Sequence, residues 1–254
     1  MSENNYKYKS LTNREIRSYA REKLLGNMLL PGLVAFFFFC TRMFFELVLS
    51  LGVLGKDAFS FFFYIALFLV INSIYGLFRY GIYNFFLGFI TKKESRTSLT
   101  LAGFRQSTEV ILAVSFMLSL ISLLLQLPYL IYAFFYAPDT IFGLGISFIL
   151  LTISNIFGFL INAYLSPIYF VICDYPGMRL PMVIVMTLTL MNKKSFFKFI
   201  LLQLSFIPMY ILGYISLGIG FLWIFPYEYT SYAYFYETLC EKYLDENKEK
   251  ISSI

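Results

Sequence analysis

The chain has 254 residues, of which 59% are hydrophobic, 21% aromatic and only 14% charged, and its formal net charge is +5. This composition excludes an ordinary soluble domain and indicates an integral membrane protein. Histidine, the commonest general base and metal ligand, is absent, and the three cysteines have no metal-binding spacing. We therefore expect no enzymatic activity, no metal and no cofactor.

Residues 1–27 form a polar, basic amino-terminal tail that does not resemble a signal peptide, so we expect the first apolar segment to be retained. Thr12 and Glu15 have capping-box spacing, which predicts the start of a helix. The apolar residues of this helix share one face: Ile16, Tyr19, Ala20 and Leu24. Its arginines lie on the opposite face: Arg14, Arg17 and Arg21. This pattern is typical of an interfacial helix on the inner leaflet, with those arginines as anchors.

Residues 28–239 contain apolar segments of about 20 residues, the length that crosses a bilayer. We predict six transmembrane helices, at 28–51, 59–80, 110–135, 141–172, 199–216 and 221–239. Trp223 near the start of the sixth suits the outer interface as a further anchor. Residues 240–254 form a charged cytoplasmic tail. The predicted fold class is an all-α polytopic membrane helical bundle with cytoplasmic interfacial amphipathic helices.

Lysine and arginine are distributed as the positive-inside rule requires. The connections expected inside carry eight of the 20 lysines and arginines, and the two tails carry nine more. The eight are Lys92, Lys93, Arg96, Arg105, Arg179, Lys193, Lys194 and Lys198. The connections expected outside, GVLGKDA, APDT and LGIG, contain only Lys56. We therefore predict that both termini lie in the cytoplasm. The positive charge then faces anionic lipid head groups, and we expect no nucleic-acid partner.

Two further stretches, SLTLAGFRQSTE and GMRLPMVIVMTLTLMNKK, precede the third and fifth predicted spans. We expect both to lie along the membrane surface, as the amino-terminal helix does. The chain would then consist of three units, each an interfacial helix followed by a transmembrane hairpin. The similarity between the units is faint, so an internal repeat is one interpretation of this order.

A few charged residues fall inside the predicted spans, where an unpaired charge costs roughly 3 kcal/mol. Arg42 in the first span and Glu228 in the sixth reach a similar depth, and Glu46 lies one helical turn from Arg42. We expect these three residues to form one polar cluster, with Glu228 held near Arg42. The cluster is either a structural clamp or the lining of a path for a proton, an ion or a head group. Arg79, at the inner end of the second span, is expected to snorkel to the interface.

Several stretches resemble a bacterial integral-membrane family, domain-of-unknown-function family 975. They are AREKLLGN near the amino terminus, SPIYFVICDYPGM, LMNKKSFFKFILLQLSFI and LGYISLGIGFLWIFPYEYTSYAYFYETL. The resemblance implies a protein of the bacterial cytoplasmic (inner) membrane. The organisation is also distantly similar to the membrane portion of some glycerophosphodiester phosphodiesterases, without their catalytic domain.

From this pattern we expect a non-enzymatic envelope protein, acting as an interaction partner, an export helper or an immunity-type component. The alternative is a small transporter or lipid-handling protein that uses the Arg42, Glu46 and Glu228 cluster. A sealed cluster would favour the first function, and a cavity that reaches these side chains would favour the second. The expected partners are membrane lipids and, in the first case, another membrane protein.

Overall fold

The structure, a computed structural model, describes residues 12–51, 57–91, 97–136 and 140–252. The basic residues Lys92, Lys93 and Arg96, and Lys56 of the first predicted outer connection, lie outside these ranges. The described residues form α-helices and one short 3-10 helix (Thr97–Phe104). The α-helices are α1 (Asn13–Leu24), α2 (Leu29–Leu51), α3 (Ala58–Thr91), α4 (Thr108–Phe135), α5 (Ile141–Leu165), α6 (Ile168–Asp174), α7 (Leu180–Leu190), α8 (Lys193–Leu204), α9 (Ile207–Ile215) and α10 (Phe221–Ser252).

The predicted capping box forms at the start of α1. The Thr12 hydroxyl accepts from the Glu15 backbone N–H at 3.3 Å, and the Glu15 carboxylate accepts from the Thr12 N–H at 2.5 Å. Satisfying these otherwise unpaired groups stabilises the helix start. Three of the four residues of the predicted apolar face of α1, Ile16, Ala20 and Leu24, are buried against other helices of the protein. The fourth, Tyr19, is exposed.

Five of the predicted spans are confirmed as helical segments long and apolar enough to cross a membrane. In the described residues these are Leu29–Ser50, Ala58–Thr91, Thr108–Phe135, Ile141–Asp174 and Lys193–Ile215. The fourth and fifth contain turns that separate α5 from α6 and α8 from α9. The sixth predicted span falls within α10, a continuous helix of 32 residues that is less apolar because it carries Glu228, many tyrosines and a charged end.

The second span is longer than predicted. We expected it to end at residue 80, but α3 continues to Thr91. Arg79 therefore lies about 18 Å before the end of the helix, at 1.5 Å per residue. The prediction that Arg79 ends the span was wrong, because the apolar sequence after it continues the helix.

The helix α3 lies at the centre of the bundle and packs against α2, α4, α6, α10 and the 3-10 helix. Two of its glycines allow close approach of its neighbours. A Cβ atom at Gly76 would lie 1.7 Å from the Ser115 Oγ of α4, and one at Gly81 would lie 1.8 Å from the Thr100 carbonyl oxygen. These contacts determine how α4 and the 3-10 helix sit on α3 around Arg79.

The stretches expected along the membrane surface before the third and fifth spans form the 3-10 helix and α7. Ala102 and Gly103 of the 3-10 helix are buried against the bundle. Val183, Thr187 and Leu190 of α7 are buried as well. Each stretch is thus a short helix packed on the longer ones.

Candidate functional site

The most unusual polar group in the interior is the Arg79 guanidinium. Its Cζ lies 5.7 Å from the ring centroid of Tyr75, one turn earlier in α3, and 5.7 Å from that of Tyr169 in α6. The Cζ of Arg42 in α2 lies 5.3 Å from the same Tyr75 ring. A guanidinium close to a tyrosine ring is attracted by the electron-rich face. The Tyr75 ring therefore contacts two guanidinium groups, one from α2 and one from its own helix α3.

The two arginines differ in their counter-ions. Arg42 pairs with Glu46, with 2.6 Å between Nε and Oε1, and both side chains are about half exposed. This is the local i,i+4 pair expected from the sequence. In the described part of the chain, Arg79 has no aspartate or glutamate within ion-pair distance. Among the described residues, the contacts that stabilise its positive charge are those with the rings of Tyr75 and Tyr169.

Two cavities meet at Arg79. The first has a volume of about 180 Å³ and reaches Arg42. Its polar lining comes from α3, α4 and α5: Asn72, Ser115, Ser119, Ser122, Gln126 and Asn162. Several of these donate to carbonyls of their own helix, as Asn72 does to Phe68 at 2.8 Å. The amide oxygen of Asn72 can still accept a hydrogen bond from water or a ligand.

The second cavity, of about 230 Å³, lies on the α10 side of Arg79. Tyrosines dominate its lining: Tyr75, Tyr83, Tyr169, Tyr229 and Tyr232. It also contains Gln203, whose buried Oε1 has no hydrogen-bond partner in the structure. This oxygen can accept a hydrogen bond from water or from a donor group of a ligand in the cavity. Arg79 can be reached from both cavities, because they share Tyr75, Arg79, Leu118, Asn162 and Tyr169.

Glu228 is held by two tyrosines. The hydroxyl of Tyr210 in α9 donates to one carboxylate oxygen, and the hydroxyl of Tyr232, one turn along α10, donates to the other. The expected clamp between Glu228 and Arg42 is not formed. The physical reason is that each residue has other partners. Glu228 accepts hydrogen bonds from two phenol groups. Arg42 pairs with Glu46 and contacts the Tyr75 ring. The predicted cluster is therefore two sites.

The structure places the predicted interfacial anchors at two positions. Arg14, Arg17 and Arg21 line an open groove between α1 and α10. Trp223 is 55% exposed in the first turn of α10. Neither position touches the Arg79 cavities.

No group of three or more cysteine, aspartate or glutamate side chains is arranged to hold a metal ion in the described ranges. The cysteines Cys40, Cys173 and Cys240 are free thiols. The polar chemistry of the interior consists of guanidinium, carboxylate, phenol, amide and hydroxyl groups.

Arg79 was not predicted to be a site residue from the sequence. A signal was present, because the sequence after it, YGIYNFFLGFIT, contains no charge for twelve residues. That run places Arg79 deep in a long helix. The partners Tyr75 and Tyr169 had no comparable signal, since tyrosine occurs throughout the chain.

No curated protein and no solved structure matches the chain. The likeness to the membrane portion of glycerophosphodiester phosphodiesterases therefore stays a resemblance. The model of a family described as protein of unknown function, DUF975, matches residues 11–243. Because that match covers nearly the whole sequence, the chain belongs to the DUF975 family.

Proposed function

We propose that this protein binds a small anionic solute at Arg79, inside its helical bundle, and acts as a small transporter of the bacterial inner membrane. One observation carries the proposal: the Arg79 guanidinium lies where two polar cavities meet and has no carboxylate partner among the described residues. This geometry supports the alternative reached from the sequence, with Arg79 in place of the Arg42, Glu46 and Glu228 cluster.

The energetic reason is the lack of a counter-ion. A charged side chain within a membrane domain is expensive unless it is paired, and such residues mark binding sites by default. The rings of Tyr75 and Tyr169 offset part of this cost, at roughly 0.5–2 kcal/mol for each cation–π contact. An anion in either cavity would add a direct charge–charge interaction. Guanidinium is suited to this role because its planar donors match the oxygens of carboxylate and phosphate groups.

The cavities favour a ligand over a purely structural cation. A structural arginine would be closed in by side chains, whereas Arg79 borders volumes of about 180 and 230 Å³. Asn72 lines the first cavity, Gln203 the second, and Asn162 both. Their amide N–H groups can donate hydrogen bonds to an anion, and their amide oxygens can accept from a hydroxyl group of the same solute.

The proposal includes six spans, with both termini in the cytoplasm. The α10 helix is long enough to serve as the sixth, and the lysine and arginine pattern of the connections supports the orientation. We further propose binding and transport without covalent chemistry, because the chain has no histidine to act as a general base. The expected envelope-partner function, which predicted a sealed cluster, is less well supported by the open cavities.

The first test measures anion binding by thermal stabilisation of the purified protein in detergent. Inorganic phosphate and acetate serve as probes, with wild type, Arg79→Gln and Arg105→Gln compared at constant ionic strength. Arg105 is an exposed arginine outside the cavities and provides the matched control. A probe at ten times its Kd should stabilise wild type and the control by about 1.4 kcal/mol. Arg79→Gln should show no such gain, and a wild type that gains nothing from either anion would contradict the proposal.

A second test separates binding from transport. Proteoliposomes that contain wild type or Arg79→Gln are exposed to the radiolabelled form of the anion that stabilises the protein. Uptake by wild type at a rate well above that of Arg79→Gln would support the transporter function. Binding without uptake would instead support an anion-binding or lipid-handling role at the same site.

A further inference from the structure

A second basic site lies on the surface, where α1 meets α10. The side chains of Arg14, Arg17, Ser18 and Arg21 project from one face of α1, at i, i+3, i+4 and i+7 spacing. With Tyr227 of α10 they line an open groove of about 410 Å³. The groove shares no lining residue with the two Arg79 cavities.

The charge of the groove is positive. Three guanidinium groups line it, and no aspartate or glutamate of the described chain is among its lining residues. Glu15 is engaged in the capping box, and Glu22 accepts from the Ser18 hydroxyl at 3.5 Å. The Arg17 Nε atom is buried and has no hydrogen-bond partner in the structure. The groove therefore contains a buried, unpaired donor as well as positive charge.

The α1 helix is held firmly enough to present these groups together. Ile16, Ala20 and Leu24 are buried beneath it. Asn13 Nδ2 donates to the Lys198 carbonyl at 2.9 Å, which fixes the start of α1 on α8. Lys23 Nζ lies 3.5 Å from the Ile90 carbonyl, which fixes its end on α3. Preorganised donors lose less entropy when they bind a ligand.

We propose that this groove binds the phosphate of an anionic phospholipid head group in the leaflet next to α1. A phosphate oxygen accepts charge-assisted hydrogen bonds from guanidinium groups. A lipid is favoured over a dissolved anion because the groove connects, through Tyr227, to apolar residues at the turn between α8 and α9. The Tyr227 ring packs on Phe206, with 5.3 Å between centroids, at the turn between α8 and α9.

The proposed site for the acyl chains is the exposed aliphatic face of α8 and α9. On either side of Phe206 in the sequence, α8 and α9 expose large aliphatic side chains, Leu201, Leu204, Ile207 and Ile211. A charged groove beside an exposed aliphatic face matches a phospholipid, which has a phosphate at one end and hydrocarbon at the other. A dissolved phosphate would contact only the arginine-lined groove.

The test measures which lipid the full chain retains. Protein is purified in micelles that contain equal amounts of phosphatidylglycerol and phosphatidylcholine, and bound lipids are counted by native mass spectrometry. Wild type should retain phosphatidylglycerol preferentially. Arg17→Gln should lower that preference about fivefold, the effect expected for one arginine near anionic head groups. Arg105→Gln, which removes an exposed arginine elsewhere, should leave it unchanged.

A second pair of variants distinguishes a loss of lipid binding from a loss of folding. Ser18→Glu places a carboxylate in the groove and should abolish the preference, whereas Ser18→Gln adds similar volume without charge and should keep most of it. Arg79→Gln should retain the preference, so the result does not depend on the proposed anion site in the bundle. The inference fails if wild type shows no preference, if Arg17→Gln and Arg105→Gln behave alike, or if 10 mM inorganic phosphate displaces the lipid.

Discussion

The Tyr169 hydroxyl lies 2.9 Å from the Ser115 Oγ, and this buried hydrogen bond joins α6 to α4 directly beside Arg79. Ser115 also donates to the Ile111 carbonyl of its own helix at 2.7 Å. The Tyr169 ring is thus held in place at its hydroxyl end while its face contacts the guanidinium. The aromatic surroundings of Arg79 are therefore fixed by a polar contact between distant parts of the chain.

We expect Tyr169→Phe to lower the free energy of unfolding by about 1 kcal/mol, because one buried hydrogen bond is lost while the ring remains. Tyr169→Leu also removes the cation–π contact with Arg79 and should lower it by roughly 1–2 kcal/mol more. Thermal unfolding in detergent measures both changes. Equal losses in the two variants would show that the ring does not stabilise Arg79.

Two glycines provide a matched test of the close packing around α3. Gly81→Ala places a Cβ 1.8 Å from the Thr100 carbonyl oxygen, a backbone atom that cannot rotate away. We expect a loss of roughly 1–3 kcal/mol in the free energy of unfolding. Gly158→Ala in α5 meets nothing within 4 Å and should be neutral or slightly stabilising. Similar melting temperatures for the two variants would contradict the packing described here.

The partners of Glu228 can be identified by double-mutant cycles. Glu228→Gln combined with Tyr210→Phe should give a coupling free energy of roughly 1.5–3 kcal/mol, because the Tyr210 hydroxyl donates to the carboxylate. Glu228→Gln combined with Arg42→Gln should be additive, since Arg42 pairs with Glu46. Coupling in the second cycle and none in the first would restore the clamp predicted from the sequence.

The thiol of Cys240 tests how closely the end of the bundle packs. Burial raises the pKa of Cys240 from its usual 9.0 to about 11. At pH 8 the reactive thiolate should therefore be about 100-fold scarcer than in the unfolded chain. With Cys40 and Cys173 replaced by alanine, iodoacetamide should label the folded protein far more slowly than the protein in denaturant. The rate in the folded state should rise tenfold per pH unit up to about pH 11.

The proposed orientation can be tested by labelling engineered cysteines. With the native cysteines replaced, a cysteine at Thr140 should react with a membrane-impermeant maleimide in intact cells, because Thr140 lies in a connection expected outside. A cysteine at Lys248 should react only after permeabilisation. The reverse pattern would overturn the assignment of both termini to the cytoplasm.

Local features of this molecule followed from its sequence. The Thr12 and Glu15 capping box and the Arg42 and Glu46 pair join residues within one helical turn, so spacing alone predicts them. The apolar runs predicted five of the helical spans because membrane length and hydropathy are properties of a single segment. The sequence also placed Arg14, Arg17 and Arg21 on one face of α1, where they line a groove.

Only the tertiary structure decided which polar side chains meet. Depth along a helix follows from sequence, but the direction each helix face points depends on how all the helices pack. Glu228 was expected to meet Arg42 because both lie at a similar depth, yet α9 brings Tyr210 to it instead. Arg79 became a site because α6 places Tyr169 against it and the surrounding helices leave space. Hydropathy contains no information about such contacts, because close packing between segments distant in sequence determines them.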